Sequence, residues 1–354
     1  KGATLTDIYG EKYIDFGCGI AVNGLGTGFR KWKRAVKRQI GRIAHASNLF
    51  YTQPAAELAK LLCKRTGMKK AFFSNSGAEA NECAIKTARK YSFDKYGENR
   101  NVIVTLENSF HGRTVTALSA TGQEAFHQYF MPFTEGFRFV PANDAAAMEA
   151  ALTDDVCAVM LELVQGEGGV WNANYDYMRD VRELCREKGV LMVVDEVQTG
   201  NGRTGKLYAY EHFGIHPDIV STAKGLGGGL PIGATLLGEK VKNTLTAGTH
   251  GSTFGGNPVC AAGAYSILSR IDEALLSEVA KKGEYIFSQF PEATGLGLMV
   301  GIPTQKPAGE VVRAAIEKGV LCLTAKDKIR LLPALTIPWE QLKAGLAILK
   351  EAMA

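Results

Sequence analysis

A single lysine stands at the end of an apolar segment and is followed by residues with little or no side chain. The segment reads DIVSTAKGLGGGLPIGA, with Lys224 after IVSTA and four glycines before Leu230. A lysine in partly desolvated surroundings has a lowered pKa and can act as an amine nucleophile. Because glycine and proline remove side-chain bulk, we expect the space beside Lys224 to take a planar aldehyde that the amine would bind covalently.

Two acidic residues end another apolar run, VVDEVQTG, which lies one strand–helix–strand unit before the lysine. A carboxylate at a buried sheet end needs a cation or hydrogen-bond donors, and a protonated pyridine nitrogen is one such cation. Alternation along a strand places Asp195 and Val197 on the same side, so an acid and an apolar group could face one planar ring. A metal-binding or salt-bridge acid explains the same pattern, and this motif taken alone favours that interpretation.

The stretch NSGAEANE, Asn75 to Glu82, follows a short apolar run and opens a helix of small residues. Backbone N–H groups at a helix N-terminus, together with one hydroxyl, favour an anion such as a phosphate. The alternative is a capping box in which Ser76 is the N-cap and Glu79 lies three residues later. The motif by itself supports both interpretations equally.

Two other motifs have weaker chemical support. GNGRTGK, Gly200 to Lys206, fits two phosphate-loop patterns, but Leu207 stands where the P-loop requires Ser or Thr to hold magnesium. His212 and His216 have the spacing of metal ligands on a helix, but Gly214 and Pro217 disfavour a regular helix there. We therefore expect neither a nucleotide site nor a metal site.

The elements that must position these residues are short apolar runs that alternate with helical patterns. The runs are AFFSNS, NVIVTLEN, AVMLELV, LMVVDEV and DIVSTAK. Continuous apolar strands alternating with helices predict an α/β fold with a mostly parallel sheet covered by helices on both faces. Ligands bind such sheets at the carboxyl edge, where Asp195 and Lys224 would meet on neighbouring strands.

The pattern of elements changes after about Asn257, which predicts a division of the chain into domains. Residues 41–256 form the large sheet domain, and residues 257–354 form a smaller α+β domain. Residues 1–40 are too short to fold alone, so we expect them to join the small domain or to cross to a partner subunit. A chain of 354 residues is long enough for one large domain with a smaller companion.

Composition and charge exclude several functional classes. The formal net charge is +5, and the one dense basic run, Phe29 to Arg38, is typical of a solvated helix face, so nucleic-acid binding is not implied. No apolar run approaches the roughly 20 residues that span a bilayer, and no signal-peptide pattern is present. The seven cysteines are odd in number and lack CxxC spacing, which favours free thiols in the cytoplasm.

Together these motifs resemble the class III, fold-type I, pyridoxal-phosphate-dependent aminotransferases, and within them the acetylornithine aminotransferase group. The resemblance covers nearly the whole chain, with the motifs in the family order. They are FGCGIAVNGLG, NSGAEANE, FHGRT, QGEGGV, VVDEVQTGNGRTG, PDIVSTAKGLGGGLPIGA, HGSTFGGNP and IRLLPAL. The resemblance implies a homodimer with shared active sites and pyridoxal 5′-phosphate as the cofactor.

The resemblance also implies a role for each matching cofactor-site residue. Lys224 is the lysine that binds the cofactor, and Asp195 pairs with the pyridine nitrogen. The remaining cofactor residues are the ring contact Gln198, the two ring faces Val197 and Phe110, the phosphate-binding residues Ser76, Gly77 and Ala78, and Thr253, a phosphate ligand from the neighbouring subunit.

Two arginines are implied to bind the substrate carboxylates, because guanidinium and carboxylate pair as planar, bidentate partners. Arg113 resembles the clamp for the carboxylate far from the reacting amine, and Arg330 the clamp for the carboxylate beside the reacting carbon. Glu167 resembles the residue that pairs with Arg330 when the donor lacks that carboxylate. Asn23 favours the acetylornithine group. A surface salt bridge is the alternative for each arginine.

The implied reaction moves the δ-amino group of N-acetylornithine to 2-oxoglutarate, as in arginine biosynthesis. The alternatives are transamination of succinylornithine, succinyldiaminopimelate, ornithine or 4-aminobutyrate, an aminomutase, and a binding protein that keeps the fold without catalysis. The retained Lys224 and Asp195 favour an enzyme. The chain departs from the family at Thr27–Arg30, at Leu163, at Thr294 and in the short segment from Gly283 to Gly295.

Overall fold

The computed structural model describes all 354 residues. The helices are α1 (Cys18–Ala21), α2 (Arg30–Ile40), α3 (Gln53–Thr66), α4 (Gly77–Tyr96), α5 (Val115–Ser119), α6 (Ala145–Ala151), α7 (Tyr175–Glu187), α8 (Pro258–Leu268), α9 (Glu273–Gln289), α10 (Ala308–Glu317) and α11 (Trp339–Met353). The strands are β1 (Thr4–Thr6), β2 (Lys12–Asp15), β3 (Lys70–Ser74), β4 (Val102–Leu106), β5 (Phe137–Val140), β6 (Val156–Leu161), β7 (Val164–Gln165), β8 (Trp171–Asn172), β9 (Leu191–Asp195), β10 (Ile219–Thr222), β11 (Gly233–Leu237), β12 (Thr294–Leu296), β13 (Met299–Pro303), β14 (Val320–Leu321), β15 (Leu323–Ala325) and β16 (Lys328–Leu331).

The largest sheet has seven strands in the order β3-β11-β10-β9-β6-β4-β5. All its strands run in one direction except β11, which pairs antiparallel with both of its neighbours. The predicted α/β class and mostly parallel sheet are therefore confirmed. Strands β9 and β10 are parallel neighbours with Ser221 opposite Asp195, which confirms that the Asp195 and Lys224 segments are adjacent.

Alternation along the central strands covers both faces of this sheet with helices. On one face, Val194 and Val220 belong to a core of 39 buried residues that also holds buried side chains of α3, α7 and α8. On the other face, Val193 and Ile219 belong to a core of 13 buried residues with side chains of α4. Successive strand residues point to opposite faces, so apolar residues at every position are expected for a sheet covered on both sides.

A second set of strands surrounds a separate core of 22 buried residues. It comprises the four-stranded sheet β12-β13-β16-β15 and the three-stranded sheet β1-β2-β14. Strand β2 pairs with β14, with Ile14 opposite Val320, so the first residues pack on the last quarter of the chain. The division at residues 40 and 256 stays a proposal, and α8, just after the second boundary, has its buried residues Ala261, Ala264 and Leu268 in the core of the large sheet.

None of the helices combines the length and apolar character that crossing a bilayer would require.

Candidate active site

A cavity of about 500 Å³ opens at the carboxyl edge of the seven-stranded sheet. Its walls come from the segments that follow β3, β4, β6, β9 and β10, from the residues that precede β11, and from Val22 after α1. The sequence-predicted residues that line it are Ser76, Gly77, Ala78, Phe110, Arg113, Asp195, Val197, Gln198 and Lys224. Parallel strands end at the same edge, so residues far apart in sequence meet here.

Lys224 follows β10 and is partly buried at the wall of this cavity. Its backbone has a φ of 44°, a left-handed conformation that side-chain-bearing residues seldom adopt and that is often found at functional sites. Burial lowers the pKa of the Lys224 amine, and the carboxylates of Glu167 and Asp195 only partly oppose that effect. The amine makes no hydrogen bond to another side chain, so it is free to react.

Two of the glycines after Lys224 are required by close packing of the backbone. A Cβ on Gly227 would lie 2.1 Å from the Leu230 carbonyl oxygen, and one on Gly228 would lie 2.7 Å from Ile267 Cδ1. These two glycines permit a tight turn that packs against α8. Of the four glycines, only Gly229 lines the cavity, together with Pro231, so only part of the run leaves space beside Lys224.

Asp195 is buried, and both of its carboxylate oxygens have partners. Its Oδ2 accepts a hydrogen bond from Asn81 Nδ2 at 2.7 Å and lies 2.8 Å from His111 Nδ1, while its Oδ1 accepts from Val197 N at 2.9 Å. These donors fix the orientation of the carboxylate. Asn81 and His111 were not identified from the sequence, although Asn81 lies one helical turn after Gly77 and His111 follows Phe110 directly.

Glu162 is a second carboxyl group of the cavity that the sequence did not single out. Its Oε1 accepts a hydrogen bond from Phe110 N at 2.8 Å, which fixes the backbone that carries the Phe110 ring. Burial raises the pKa of the Glu162 carboxyl to about 7. Burial opposes protonation of His111, but its hydrogen bond to Asp195 and the charges of Asp195 and Glu162 outweigh this and raise the pKa of its imidazole.

The start of α4 has features of both interpretations of NSGAEANE. Ser76 is the N-cap, its Oγ accepts a hydrogen bond from Glu79 N at 3.2 Å, and Glu79 Oε2 accepts one from Asn75 N at 2.6 Å. Ser76 therefore caps the helix, but the Glu79 carboxylate accepts from the N–H of Asn75 and not from that of the N-cap, so only half of the capping box forms. Ser76, Gly77 and Ala78 also line the cavity. The first N–H groups of a helix have no partner within it and are available to an anion.

Gly77 is needed at the start of α4 because another side chain approaches its backbone closely. A Cβ on Gly77 would lie 2.6 Å from Val197 Cγ1. The backbone of α4 and the Val197 side chain are thereby brought together on one wall of the cavity.

Arg330 on β16 and Glu167 form an ion pair beside the cavity, with Nη1 and Oε1 separated by 2.6 Å. The same Nη1 lies 3.2 Å from the Gly166 carbonyl oxygen and 3.3 Å from Gln198 Oε1. Burial raises the pKa of Glu167, but the hydrogen bond and charge of Arg330 outweigh burial and lower it. Gln198 lines the cavity, so the pair adjoins it through Gln198.

Arg113 is exposed at the cavity and has no carboxylate partner. Its guanidinium carbon lies 4.1 Å from the Phe126 ring centroid and 5.5 Å from that of Phe110. Stacking on aromatic rings orients a guanidinium without neutralising its charge. Arg113 is therefore available to bind an anion.

Besides Arg330 and Glu167, two predicted residues do not line the main cavity. Asn23 lines a neighbouring cavity of about 170 Å³, which shares Gly229 with the main one, while the adjacent Val22 lines the main cavity. Thr253 is exposed and does not line the cavity of its own chain.

The rejected motifs contribute to structure. Arg203 of GNGRTGK is buried and donates hydrogen bonds to the carbonyl oxygens of Leu298 and Pro333, which lie in the C-terminal part of the chain. His212 lies 3.0 Å from the Thr204 carbonyl oxygen, and no group of three His, Cys, Asp or Glu side chains has the geometry of a metal site.

Comparisons with known proteins place the chain in a family. The model described as "Aminotransferase class-III" matches residues 1–353. The chain is 49% identical to the acetylornithine aminotransferase of Haemophilus ducreyi, covering 100% of this chain and 92% of that protein. The structure of N-acetylornithine aminotransferase from Stenotrophomonas maltophilia is similar with a TM-score of 0.87 and 37% identity, covering 99% of this chain and 93% of that one. A structure of ornithine aminotransferase from Toxoplasma gondii, described with partial occupancy of PLP, is also similar, with a TM-score of 0.94 and 32% identity. The match covers 100% of this chain and 88% of that one.

Proposed function

The chain belongs to the class-III aminotransferases, and from this premise we propose that it moves the δ-amino group of N-acetylornithine to 2-oxoglutarate. The products are N-acetylglutamate 5-semialdehyde and glutamate. The observation that carries this proposal is the cavity with a free lysine and an oriented carboxylate, Lys224 and Asp195, in a chain with full-length similarity to acetylornithine aminotransferases.

The cofactor is pyridoxal 5′-phosphate, which supplies an aldehyde that takes up amino groups and a ring that withdraws electrons from the reacting carbon. The residues of the cavity fit this group. Lys224 offers an amine without a hydrogen-bond partner, and Asp195 offers an oriented anion for a cationic ring nitrogen. The N-terminus of α4 offers N–H groups to a phosphate, and a cavity of about 500 Å³ is of the usual size for such a ligand.

We assign the roles in the cavity as follows. Lys224 would bind the aldehyde of the cofactor, and its amine Nζ would hold and move a proton during the reaction. Asp195 keeps the ring nitrogen protonated, because a neighbouring anion favours the charged form of a base. Of the other residues that line the cavity, Ser76, Gly77 and Ala78 would hold the phosphate, Gln198 would contact the ring hydroxyl, and Phe110 and Val197 would pack on the two ring faces.

Two arginines account for the use of two different donors. Arg113 has no partner and is proposed to bind the carboxylate at the far end of either substrate. Glutamate also has a carboxylate beside its reacting carbon, which Arg330 would bind after Glu167 moves away. N-Acetylornithine lacks a carboxylate there, so Glu167 stays paired with Arg330, as in the present arrangement. Asn23 is proposed to contribute to the substrate entrance from the neighbouring cavity.

The alternative substrates are ornithine, 4-aminobutyrate, succinylornithine and succinyldiaminopimelate. The structural likeness to an ornithine aminotransferase shows that an enzyme of that name has a similar fold. Free ornithine carries a cationic α-amino group where N-acetylornithine carries a neutral amide. The uncompensated positive charge of Arg113 at the cavity favours the neutral, acylated donor.

The first test is the absorption spectrum of the purified protein reconstituted with pyridoxal phosphate. We expect a visible band from the lysine-bound cofactor, and we expect that N-acetylornithine without an acceptor removes it faster than ornithine does. Loss of the band with glutamate but not with N-acetylornithine would leave an aminotransferase with a different donor. Absence of the band at every cofactor concentration would contradict the assignment of Lys224.

We also propose a homodimer in which each cavity receives Thr253 from the partner subunit. Several large apolar side chains lie close to Thr253, either in sequence or in the folded chain. They are exposed to solvent when the chain is considered without a partner. They are Leu49, Phe50, Tyr51 and Phe254, with exposed fractions of 87%, 70%, 103% and 57%. Asn48 Nδ2 donates to the Ser252 carbonyl oxygen, which brings the two segments together. Contiguous exposed apolar residues mark an interaction surface.

Mixing two defective variants tests the shared cavity. We expect the Lys224→Ala protein, purified alone, to have no turnover. The Thr253→Ala protein, purified alone, should have reduced turnover. In a mixed dimer one cavity carries both changes and the other carries neither, so about half of the wild-type rate per dimer should return. Activity that does not rise above that of the Thr253→Ala protein in the mixture would contradict a shared site.

The cellular context is part of the same proposal. All seven cysteines are free, and most are buried, which supports a reducing compartment such as the cytoplasm. The reaction would supply an intermediate of arginine biosynthesis. Recovery of the activity only in a membrane fraction of the source cells would contradict the location.

A further inference from the structure

The turn that carries Glu167 is held at both of its ends. Glu167 lies in the turn Gly166–Val170, which joins β7 to β8. At the first end, Arg330 Nη1 contacts both Glu167 Oε1 and the Gly166 carbonyl oxygen, at 2.6 and 3.2 Å. At the second end, Val170 has a φ of 55°, which is unfavourable for a β-branched residue and requires support from its surroundings.

That support comes from Thr294 and Lys328. Thr294 Oγ1 donates a hydrogen bond to the Val170 carbonyl oxygen at 2.6 Å, and Lys328 Nζ donates one to Thr294 Oγ1 at 2.8 Å. Only 3% of Lys328 is exposed. Its ammonium also lies 3.3 Å from the ring centroid of Trp171, the first residue after the turn.

Lys328 is unusual because it is a buried cation without a carboxylate in contact with it. Its partners are a hydroxyl group and an aromatic ring. Burial of a charge is costly unless it is paired, and burial lowers the pKa of this amine. The attraction between a cation and a desolvated indole ring offsets part of that cost. The position of the Lys328 ammonium therefore depends on that of Trp171.

Lys328 and Arg330 are separated by one residue on β16 and therefore point to the same side of the strand. One strand thus holds both ends of the turn, Arg330 through Gly166 and Glu167, and Lys328 through Thr294 and Trp171. In the proposed function, the contact between Arg330 and Glu167 breaks when glutamate binds. The second attachment, through Lys328, involves no group that would contact a substrate.

We propose that Lys328 and Thr294 are positioning residues that hold the turn Gly166–Val170 while Glu167 leaves and rejoins Arg330. This inference rests on the proposed function. Without the second attachment the turn would lose its position, and Glu167 would pair with Arg330 less well. The loss would affect N-acetylornithine, which needs the pair closed, more than glutamate, which supplies its own carboxylate to Arg330.

The test compares Lys328→Met, which keeps most of the stem but removes the charge, with wild type. Single-turnover rates per molar concentration are measured for N-acetylornithine and for glutamate, each without an acceptor. We expect the value for N-acetylornithine to fall about tenfold, the order that a desolvated cation–π contact supports. The value for glutamate should change less than about twofold, and Lys328→Arg, which can stack on Trp171, should restore most of the loss.

The matched control is Lys318→Met, since Lys318 is an exposed lysine that pairs with Glu351 at 3.2 Å far from the turn. It should leave both donors unchanged. An equal fall for both donors in Lys328→Met would show a general structural role and overturn the proposal. If wild type itself reacts with glutamate but not with N-acetylornithine, the proposed function fails instead, and the two failures are distinguishable.

A second measurement uses the protein without cofactor. Thr294→Val removes the hydroxyl at nearly constant size, and amide hydrogen exchange then reports on the turn, whose Val170 N donates to the Gln165 carbonyl oxygen at 2.9 Å. We expect faster exchange confined to the peptide that contains residues 166–171 in both Thr294→Val and Lys328→Met. Unchanged exchange in that peptide would overturn the proposal even if the rates differ.

Discussion

Replacing Lys224 with alanine is expected to abolish turnover and to leave the fold intact. The proposal uses its amine twice, first to bind the cofactor and then to move a proton. General acid–base catalysis alone contributes roughly 10²–10⁴-fold, so the loss should reach at least that range. Steady-state rates with N-acetylornithine and 2-oxoglutarate, together with circular dichroism and the visible spectrum, measure the effect.

Lys206→Ala is the matched control for this variant. Lys206 is an exposed lysine and is the lysine of GNGRTGK, the motif with the phosphate-loop pattern. If the cavity beside Lys224 is the active site, Lys206→Ala retains its turnover. Turnover retained in Lys224→Ala but lost in Lys206→Ala would contradict the proposed mechanism and return the nucleotide interpretation to consideration.

Asp195→Asn is expected to lower turnover by roughly 10²–10³-fold, the usual cost of removing one oriented electrostatic partner from an active site. Asparagine keeps the size of the side chain but cannot stabilise a protonated ring nitrogen. The change also places an amide NH2 against a present donor in either orientation, because Asn81 Nδ2 donates to Oδ2 at 2.7 Å and Val197 N donates to Oδ1 at 2.9 Å. Rates and the pH dependence of the cofactor absorption band measure the loss.

The neighbouring carboxyl group gives the control for Asp195. Glu196 is fully buried, its Oε1 accepts a hydrogen bond from Tyr210 N at 2.9 Å, and burial raises the pKa of its carboxyl to about 7. It does not line the cavity, so Glu196→Gln should change stability more than it changes the cofactor spectrum. The assignment of Asp195 would be contradicted if Glu196→Gln altered the cofactor spectrum and Asp195→Asn left it unchanged.

The two largest effects concern residues that the sequence predicted, and the reason is local. Lys224 and Asp195 each follow a continuous apolar strand, and strands of that kind belong to parallel sheets whose carboxyl ends meet at one edge. Their proximity therefore follows from pattern and strand order. The start of α4 could be predicted for the same reason, because Ser76 and Glu79 have the spacing of a capping box.

The electrostatic surroundings of Asp195 depend on tertiary packing. Asn81 and Glu162 reach the cavity from different elements, and no local pattern distinguishes them from other polar residues near strand or helix ends. Their contacts with Asp195 and with Phe110 N depend on how α4, β4 and β6 pack together. The glycines after Lys224 could not be explained locally either, since Gly228 is required by the approach of Ile267 on α8.

The sequence by itself determined the fold class, the lysine and carboxylate of the candidate site, and the edge of the sheet where they lie. These features follow from the periodicity and order of neighbouring segments. The Arg330–Glu167 pair was implied by the family resemblance and is seen in the structure, whereas only the tertiary structure decided that Lys328 holds Thr294 beside the same turn. Those partners come from segments far apart in the chain, and their distances depend on how β13 and β16 pack against the β7–β8 turn, which no local spacing encodes.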